Sequence, residues 1–141
     1  MNREIKFRAY DKEDEEMRYF DDENYLYHYP FILRLEQVFK KDSNYDDYED
    51  FEYKDVTDKI ELMQYTGLHD KNGKEIYEGD IVRIIVNNNI EKICRVEFKN
   101  GIFGVMFSKN KELTAFPHFC NTTFEVIGNE YDNPELLGGE E

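Results

Sequence analysis

Hydrophobic and polar residues alternate along the C-terminal half of the chain, from Leu62 to Ile127. Cys94, Val96 and Phe98, for example, are separated by single charged residues, which is the period of a β-strand with one buried face. Turn-forming pairs divide this half into short segments, with Asn-Gly at 72–73 and at 100–101. The pattern predicts five or six short strands in a strongly bent antiparallel barrel of the SH3-like type. Its predicted core is Val82, Ile84, Val86, Cys94, Val96, Phe98, Phe103, Val105, Phe107, Phe124 and Val126.

The N-terminal part is predicted to contain a first strand and one helix. Ile5, Phe7 and Ala9 alternate with more polar residues, as in a strand with one buried face. Pro30 stands where a helix can begin, and two lysines suit the C-terminal end of such a helix. The apolar residues between them have helical spacing and predict a helix over residues 30–41; they are Phe31, Leu35, Val38 and Phe39.

Residues 42–58 are strongly acidic, with eight acidic residues and one basic residue, Lys54. Few aliphatic residues are available there to form a core, so an exposed loop is predicted. Tyrosines provide rigid contact area and the carboxylates would select a basic partner. The predicted partner-binding residues are therefore Tyr45, Tyr48, Phe51 and Tyr53. The alternative is a solvated loop that binds nothing.

These patterns predict a mainly β protein of the α+β type in three regions. Residues 1–61 hold the strand, the helix and the acidic loop, residues 62–137 form the SH3-like barrel, and residues 138–141 are a tail.

Charge and hydropathy restrict the classes of function. The 141 residues include 18 Lys and Arg against 32 Asp and Glu, a net charge of −14. Residues 1–61 carry 19 acidic and 10 basic side chains, a net charge of −9. Without a basic stripe to neutralise phosphates, autonomous binding to duplex nucleic acid is disfavoured. No signal peptide and no apolar run of the roughly 20 residues that span a membrane is visible, so the cytoplasm is the expected location.

Motifs for catalysis, metal binding or cofactor binding are incomplete. The sequence after Asp70 begins like a calcium loop but lacks the glycine and glutamate that such a loop needs at its sixth and twelfth positions. His118 and Cys120 supply two zinc ligands where three or four are required. The sequence predicts no catalytic, cofactor or metal residue and a role that is not enzymatic.

Three blocks of sequence resemble the YopX family, whose members are small proteins encoded by phages and prophages. The blocks are Arg3–Asp11, the long stretch Leu62–Val82, and Phe124–Asn129 with Asn133–Leu137. The resemblance implies an SH3-type barrel in the C-terminal part and members that assemble as oligomers. It supplies no activity and no catalytic residue, and Tyr10 stands where the family usually has tryptophan.

The predicted function is that of a phage or prophage accessory protein that binds a basic protein partner and forms homo-oligomers. Two alternatives belong to other classes. A nucleic-acid-associated SH3-like module would need four basic side chains on one face of the barrel: Arg83, Lys92, Arg95 and Lys99. A divalent-metal hydrolase would use the carboxylates that come nearest to a cluster in the sequence, which are those of Glu75, Glu78 and Asp80.

Overall fold

The computed structural model describes residues 4–20, 31–34, 37–41, 53–107, 110–115 and 122–137. Their strands are β1 (Phe7–Asp11), β2 (Glu16–Tyr19), β3 (Phe31–Arg34), β4 (Gln37–Lys41), β5 (Tyr53–Asp55), β6 (Ile60–His69), β7 (Glu75–Tyr77), β8 (Asp80–Val86), β9 (Asn89–Lys99), β10 (Ile102–Phe107), β11 (Asn110–Ala115) and β12 (Thr122–Asn129). Two 3₁₀ helices, Thr57–Lys59 and Pro134–Leu136, are the only helical elements in these ranges. Neither of these helices is long and apolar enough to cross a membrane. The prediction of a mainly β, antiparallel protein is confirmed.

The predicted helix over residues 30–41 is wrong. Residues 31–34 and 37–41 form β3 and β4, which pair antiparallel with Ile32 opposite Phe39 and Leu33 opposite Val38. Aromatic and β-branched residues favour strands, and here the apolar residues become cross-strand neighbours instead of one helical face. A hairpin therefore accounts for the same apolar residues that suggested a helix.

The strands form three sheets, with the orders β2-β1-β6-β7, β3-β4-β5 and β11-β10-β9-β8-β12. The chain divides into two compact units, an N-terminal unit of Lys6–Leu62 and a C-terminal unit of Met63–Glu141 with Met1–Ile5.

The N-terminal unit has a small core formed by Ala9, Val56 and Ile60, with Phe20 packed against it. Ala9 lies in β1, in the region where the first strand was predicted. The strand ends at Asp11, whose buried carboxylate accepts hydrogen bonds from the Glu13 and Asp14 N–H groups at 3.0 and 3.2 Å. This carboxylate shapes the acidic turn into β2.

The C-terminal unit contains the larger core. Its buried members are Ile76, Val82, Ile84, Cys94, Val96 and Val105, and Leu68, Val86, Phe103, Phe124 and Val126 pack against them while partly exposed. Most of the predicted core is therefore found, with Ile76 and Leu68 added from β7 and β6. Phe98 departs from the prediction because 47% of it is exposed. The side chain of Phe107 lies outside the described set.

The five-stranded sheet of the C-terminal unit must be curled. The register across β10 places Ala115 on β11 at the same height in the sheet as Glu97 on β9. The register across β8 places Thr122 on β12 at the same height as Asn89, which is also on β9. In a flat sheet Ala115 and Thr122 would lie roughly 30 Å apart, given the spacing of strands and the rise per residue. The six residues that join them can span about 25 Å at most. The two edges therefore approach each other, and irregular registers in three strand pairs allow the bend.

Candidate functional site

The turn between β6 and β7, residues 70–74, is organised by one buried carboxylate and is called the Asp70 turn below. Asp70 Oδ1 accepts hydrogen bonds from the N–H groups of Asn72 at 2.8 Å and Lys74 at 2.9 Å. The Asp70 carbonyl accepts a third from the Gly73 N–H at 3.0 Å. Since only 7% of Asp70 is exposed, these bonds are shielded from water and fix the conformation of the turn.

The same carboxylate also holds the edge strand β12. Asp70 Oδ2 accepts a hydrogen bond from the Val126 N–H at 3.0 Å, and the Lys71 N–H donates to the Phe124 carbonyl at 2.8 Å. A neighbouring strand would satisfy the same two backbone groups of β12, with a carbonyl that accepts from the Val126 N–H and an N–H that donates to the Phe124 carbonyl. Here a side-chain carboxylate supplies the acceptor, so the Asp70 turn takes the place of a strand at the sheet edge.

The pKa of Asp70 follows from this environment. Burial by itself would raise the pKa of the carboxyl group. The backbone N–H donors of Val126, Lys74 and Asn72, helped by the Lys74 charge, favour the ionised form and lower the pKa overall. Asp70 is therefore an anion at neutral pH whose oxygen atoms are already engaged by the protein.

A second turn, residues 78–80, joins β7 to β8 and depends on glycine. Gly79 has φ +83°, a conformation that L side chains rarely adopt. Its N–H donates to the Val96 carbonyl at 2.9 Å and its carbonyl accepts from the Glu130 N–H at 2.8 Å. A Cβ atom at Gly79 would lie 2.9 Å from the Met63 sulfur atom, closer than Cβ atoms approach other atoms.

The acidic residues considered for a metal-dependent hydrolase make local hydrogen bonds. Glu78 Oε2 accepts from the Gln64 N–H at 2.7 Å, and Asp80 Oδ2 accepts from the Tyr77 N–H at 2.8 Å. Glu75 Oε2 accepts from the Tyr77 hydroxyl group at 3.2 Å. Within the described ranges no three His, Cys, Asp or Glu side chains are grouped so as to hold a metal ion. His118 and Cys120 lie outside those ranges.

The basic residues required by a nucleic-acid module do not share one surface. Alternation along β8 and β9 places Arg83, Arg95 and Lys99 on one face and Lys92 on the other. Arg83 contacts the Glu125 carboxylate at 3.3 Å. Arg95 contacts two carboxylates, Glu97 at 3.2 Å and Glu130 at 3.3 Å. Arg83 and Arg95 are thus paired with acidic neighbours, which weakens the case for phosphate binding.

The predicted partner-binding residues fall mostly outside the described part of the chain, which does not cover Tyr45, Tyr48 or Phe51. Tyr53 begins β5, where its backbone pairs with that of Lys41 at the end of β4. The intervening residues 42–52 contain six acidic side chains and no basic one. They therefore connect two strand ends that lie side by side.

An aromatic pair with one exposed and one partly buried ring lies at the end of the β9–β10 hairpin. Phe98 and Phe103 are directly opposite each other, and their ring centroids are 4.8 Å apart at an interplanar angle of 55°. The next pair inward on this face is Val96 with Val105, both buried. The aromatic pair thus continues the core face to a point where Phe98 meets solvent.

Comparison with known proteins assigns the family. The family model described as YopX protein matches residues 6–138. The chain belongs to the YopX family. The SPbeta prophage-derived uncharacterized protein YopX of Bacillus subtilis (strain 168) is 41% identical over 71 residues, which cover 48% of this chain and 53% of that protein's length.

Solved structures agree with this YopX-family assignment. The crystal structure of YopX from Bacillus subtilis has a TM-score of 0.62 at 30% identity, covering 94% of this chain and 97% of that one. The crystal structure of protein EF1440 from Enterococcus faecalis has a TM-score of 0.56 at 27% identity, covering 96% and 99% of the two chains. The resemblance to the YopX family predicted from the sequence is therefore confirmed.

The longest YopX-like block, Leu62–Val82, contains both turns described above. Its polar residues Asp70, Glu78 and Asp80 bind backbone N–H groups. Its Gly79 has a positive φ and lies close to the Met63 side chain, so another residue would be strained there. In the structure these YopX-like residues maintain the architecture of the C-terminal unit, and this role of the Asp70 carboxylate was not predicted from the sequence.

Proposed function

We propose that this YopX-family protein is a phage or prophage accessory protein that acts without catalysis by binding a basic protein in the cytoplasm of the bacterial host. The binding segment consists of residues 42–52 with Tyr53, and the pairing of Lys41 with Tyr53 carries the proposal. It attaches both ends of an 11-residue segment, which contains six acidic and three aromatic residues, to two paired strands. Such a segment is complementary to a basic partner.

Two variants separate the contributions of the segment. In the first, a two-residue Asn-Gly turn replaces residues 42–52, which the adjacent strand ends permit. In the second, the six acidic residues are changed to amides and the aromatic residues stay: Asp42, Asp46, Asp47, Glu49, Asp50 and Glu52. The control changes three exposed acidic residues elsewhere to amides, namely Asp14 and Glu15 in the β1–β2 turn and Glu16 at the start of β2.

Each tagged protein is used to capture proteins from lysogenic cells at low salt, followed by elution in steps of NaCl and mass spectrometry. The proposal expects a basic protein that binds the wild type and the control variant and elutes as salt approaches physiological concentration. Both segment variants should lose it, with affinity reduced roughly tenfold or more. Capture of the same proteins by all variants, or retention that does not depend on salt, would contradict the proposal.

We also infer that the C-terminal unit is an SH3-like barrel. Its five antiparallel strands, the curl demanded by the six residues between β11 and β12, and the replacement of an edge strand by the Asp70 turn all support this. An experimental structure with β11 and β12 far apart on an open sheet would reject it. The proposed homo-oligomer is checked by light scattering over a range of protein concentrations, where a constant monomer mass would exclude it.

A further inference from the structure

The two Asn-Gly pairs of the chain occupy turns of different construction. Asn72-Gly73 lies in the Asp70 turn, and Asn100-Gly101 forms the two-residue connection between β9 and β10. All four residues are exposed to solvent. Asn followed by Gly is the pair most prone to spontaneous deamidation, because Gly places no side chain in the way of ring closure. Solvent exposure therefore does not distinguish the two sites, whereas hydrogen bonding does.

Deamidation requires the N–H of the following glycine. The Gly nitrogen attacks the Asn side-chain carbonyl carbon, forming an N–C bond, losing the proton of that nitrogen and expelling the side-chain amine as ammonia. Water then opens the resulting succinimide at either carbonyl, giving Asp or isoaspartate. A glycine N–H held in a hydrogen bond, within a turn that cannot rotate, is a poor nucleophile for the first step.

In the Asp70 turn, three hydrogen bonds oppose attack by the glycine nitrogen and the rotation that this attack needs. The Gly73 N–H donates to the Asp70 carbonyl at 3.0 Å. The N–H groups on either side, of Asn72 and Lys74, donate to Asp70 Oδ1 at 2.8 and 2.9 Å. Attack by the Gly73 nitrogen would break the first bond, and the rotation it needs would disturb the other two.

At the β9–β10 connection no such protection is present. Asn100 and Gly101 have φ angles of 54° and 82°, so both lie in the left-handed region, as the two central residues of a tight hairpin turn do. Among the described residues, no hydrogen bond is found for the Gly101 N–H. A Cβ atom built on Gly101 would meet nothing within 4 Å, and the same holds at Gly73, so hydrogen bonding and not steric crowding separates the two turns.

We propose that Asn100 is a site of spontaneous deamidation in the folded protein and that the Asp70 turn protects Asn72 from the same reaction. The product at position 100 carries a new carboxylate, and isoaspartate adds a methylene group to the backbone of the hairpin. Both changes occur beside the half-exposed side chains Phe98 and Ile102, 47% and 48% exposed. The modification therefore alters the charge and shape of a hairpin end that exposes two large apolar side chains.

The test incubates the folded protein at 37 °C and mildly alkaline pH and follows the two Asn-Gly peptides by mass spectrometry, with separation of the isoaspartyl products. Conversion at Asn100 should be about tenfold or more faster than at Asn72, a ratio that corresponds to one or two protecting hydrogen bonds. In denaturant both sites should convert at similar rates. The Asn100→Gln variant should lose the fast conversion.

A second variant tests the protection itself. Asp70→Ala, which removes the acceptor of the Asn72 and Lys74 N–H groups, should accelerate conversion at Asn72 while leaving the rate at Asn100 unchanged, provided circular dichroism shows that the variant is folded under the assay conditions. If it is not, amide hydrogen exchange of Gly73 and Gly101 in the wild type makes the same comparison, with slow exchange expected at Gly73 alone. Equal rates at the two sites in the folded protein, or faster conversion at Asn72, would overturn the proposal.

Discussion

Asp70 offers the sharpest test of how this fold is held together. Its carboxylate accepts hydrogen bonds from the N–H groups of Asn72, Lys74 and Val126. In Asp70→Asn the side-chain carbonyl can keep the two donors of the turn, but the amide NH₂ then faces the Val126 N–H. Two donors in a buried site leave at least one of them unsatisfied, and the charge that strengthened the other bonds is gone.

The expected cost is about 2–3 kcal/mol of unfolding free energy, from one lost charge-assisted hydrogen bond and the unpaired buried donor. For a chain of this size that loss lowers Tm by roughly 8–12 °C. Urea and thermal unfolding followed by circular dichroism at pH 7 measure both quantities. The matched control is Asp58→Asn, which changes an exposed carboxylate and should cost below about 0.5 kcal/mol.

The pH dependence provides an independent check with a definite sign. The pKa of Asp70 is lower in the folded protein than its usual value of about 4, so the ionised group stabilises the fold above that pH. This stabilisation is lost as the pH falls through the lowered pKa of the folded state. The difference in stability between the wild type and Asp70→Asn should therefore be full at pH 7 and shrink below pH 4. A variant as stable as the control, or a difference that does not change with pH, would refute the role given to the carboxylate.

Two further substitutions test the second turn and the core. Gly79→Ala should destabilise the protein by about 1–3 kcal/mol in urea unfolding, because φ is +83° and the new Cβ lies 2.9 Å from the Met63 sulfur atom. In the double variant Gly79→Ala/Met63→Ala the close contact is removed but the unfavourable φ of residue 79 remains. The double variant should therefore be less stable than Met63→Ala alone, and equal stability would contradict the cost assigned to φ. Val105→Ala, at a fully buried position, should cost about 2 kcal/mol, whereas Phe98→Ala, at a position 47% exposed, should cost less than about 1 kcal/mol by the same assay. A larger loss at Phe98 than at Val105 would mean that the aromatic pair belongs to the core after all.

The strands of the C-terminal unit could be predicted because alternation and turn dipeptides act locally. Cys94 and Val96 face the core as their spacing indicates, and Asn100-Gly101 forms a turn. Phe98 continues the same alternation, but it lies where the hairpin extends past the residues that would cover it. Periodicity reports which face a side chain is on and does not report where the core ends.

The missed features depend on contacts between distant residues or on competition between local structures. An aspartate two residues before Asn72 is a recognisable turn signal, so the bonds within the Asp70 turn could have been foreseen. The bond to Val126 could not, because 56 positions separate the two residues. The helix predicted over residues 30–41 failed because strand pairing of Ile32 with Phe39 outweighs a helical spacing of few residues. The charge and the aromatic residues of the candidate binding segment can be read from the sequence. The structure contributes the pairing of Lys41 with Tyr53, which shows where the ends of the segment are attached.

The bond between Asp70 and Val126 also has a consequence for synthesis of the chain. When the Asp70 turn leaves the ribosome, the backbone that must donate to its second oxygen has not yet been made. The nascent C-terminal unit therefore waits with an incomplete sheet until β12 emerges, and water must solvate Asp70 Oδ2 in the meantime. Polypeptides released before Val126 should remain open and sensitive to proteases, which gives the cell a means of removing unfinished copies.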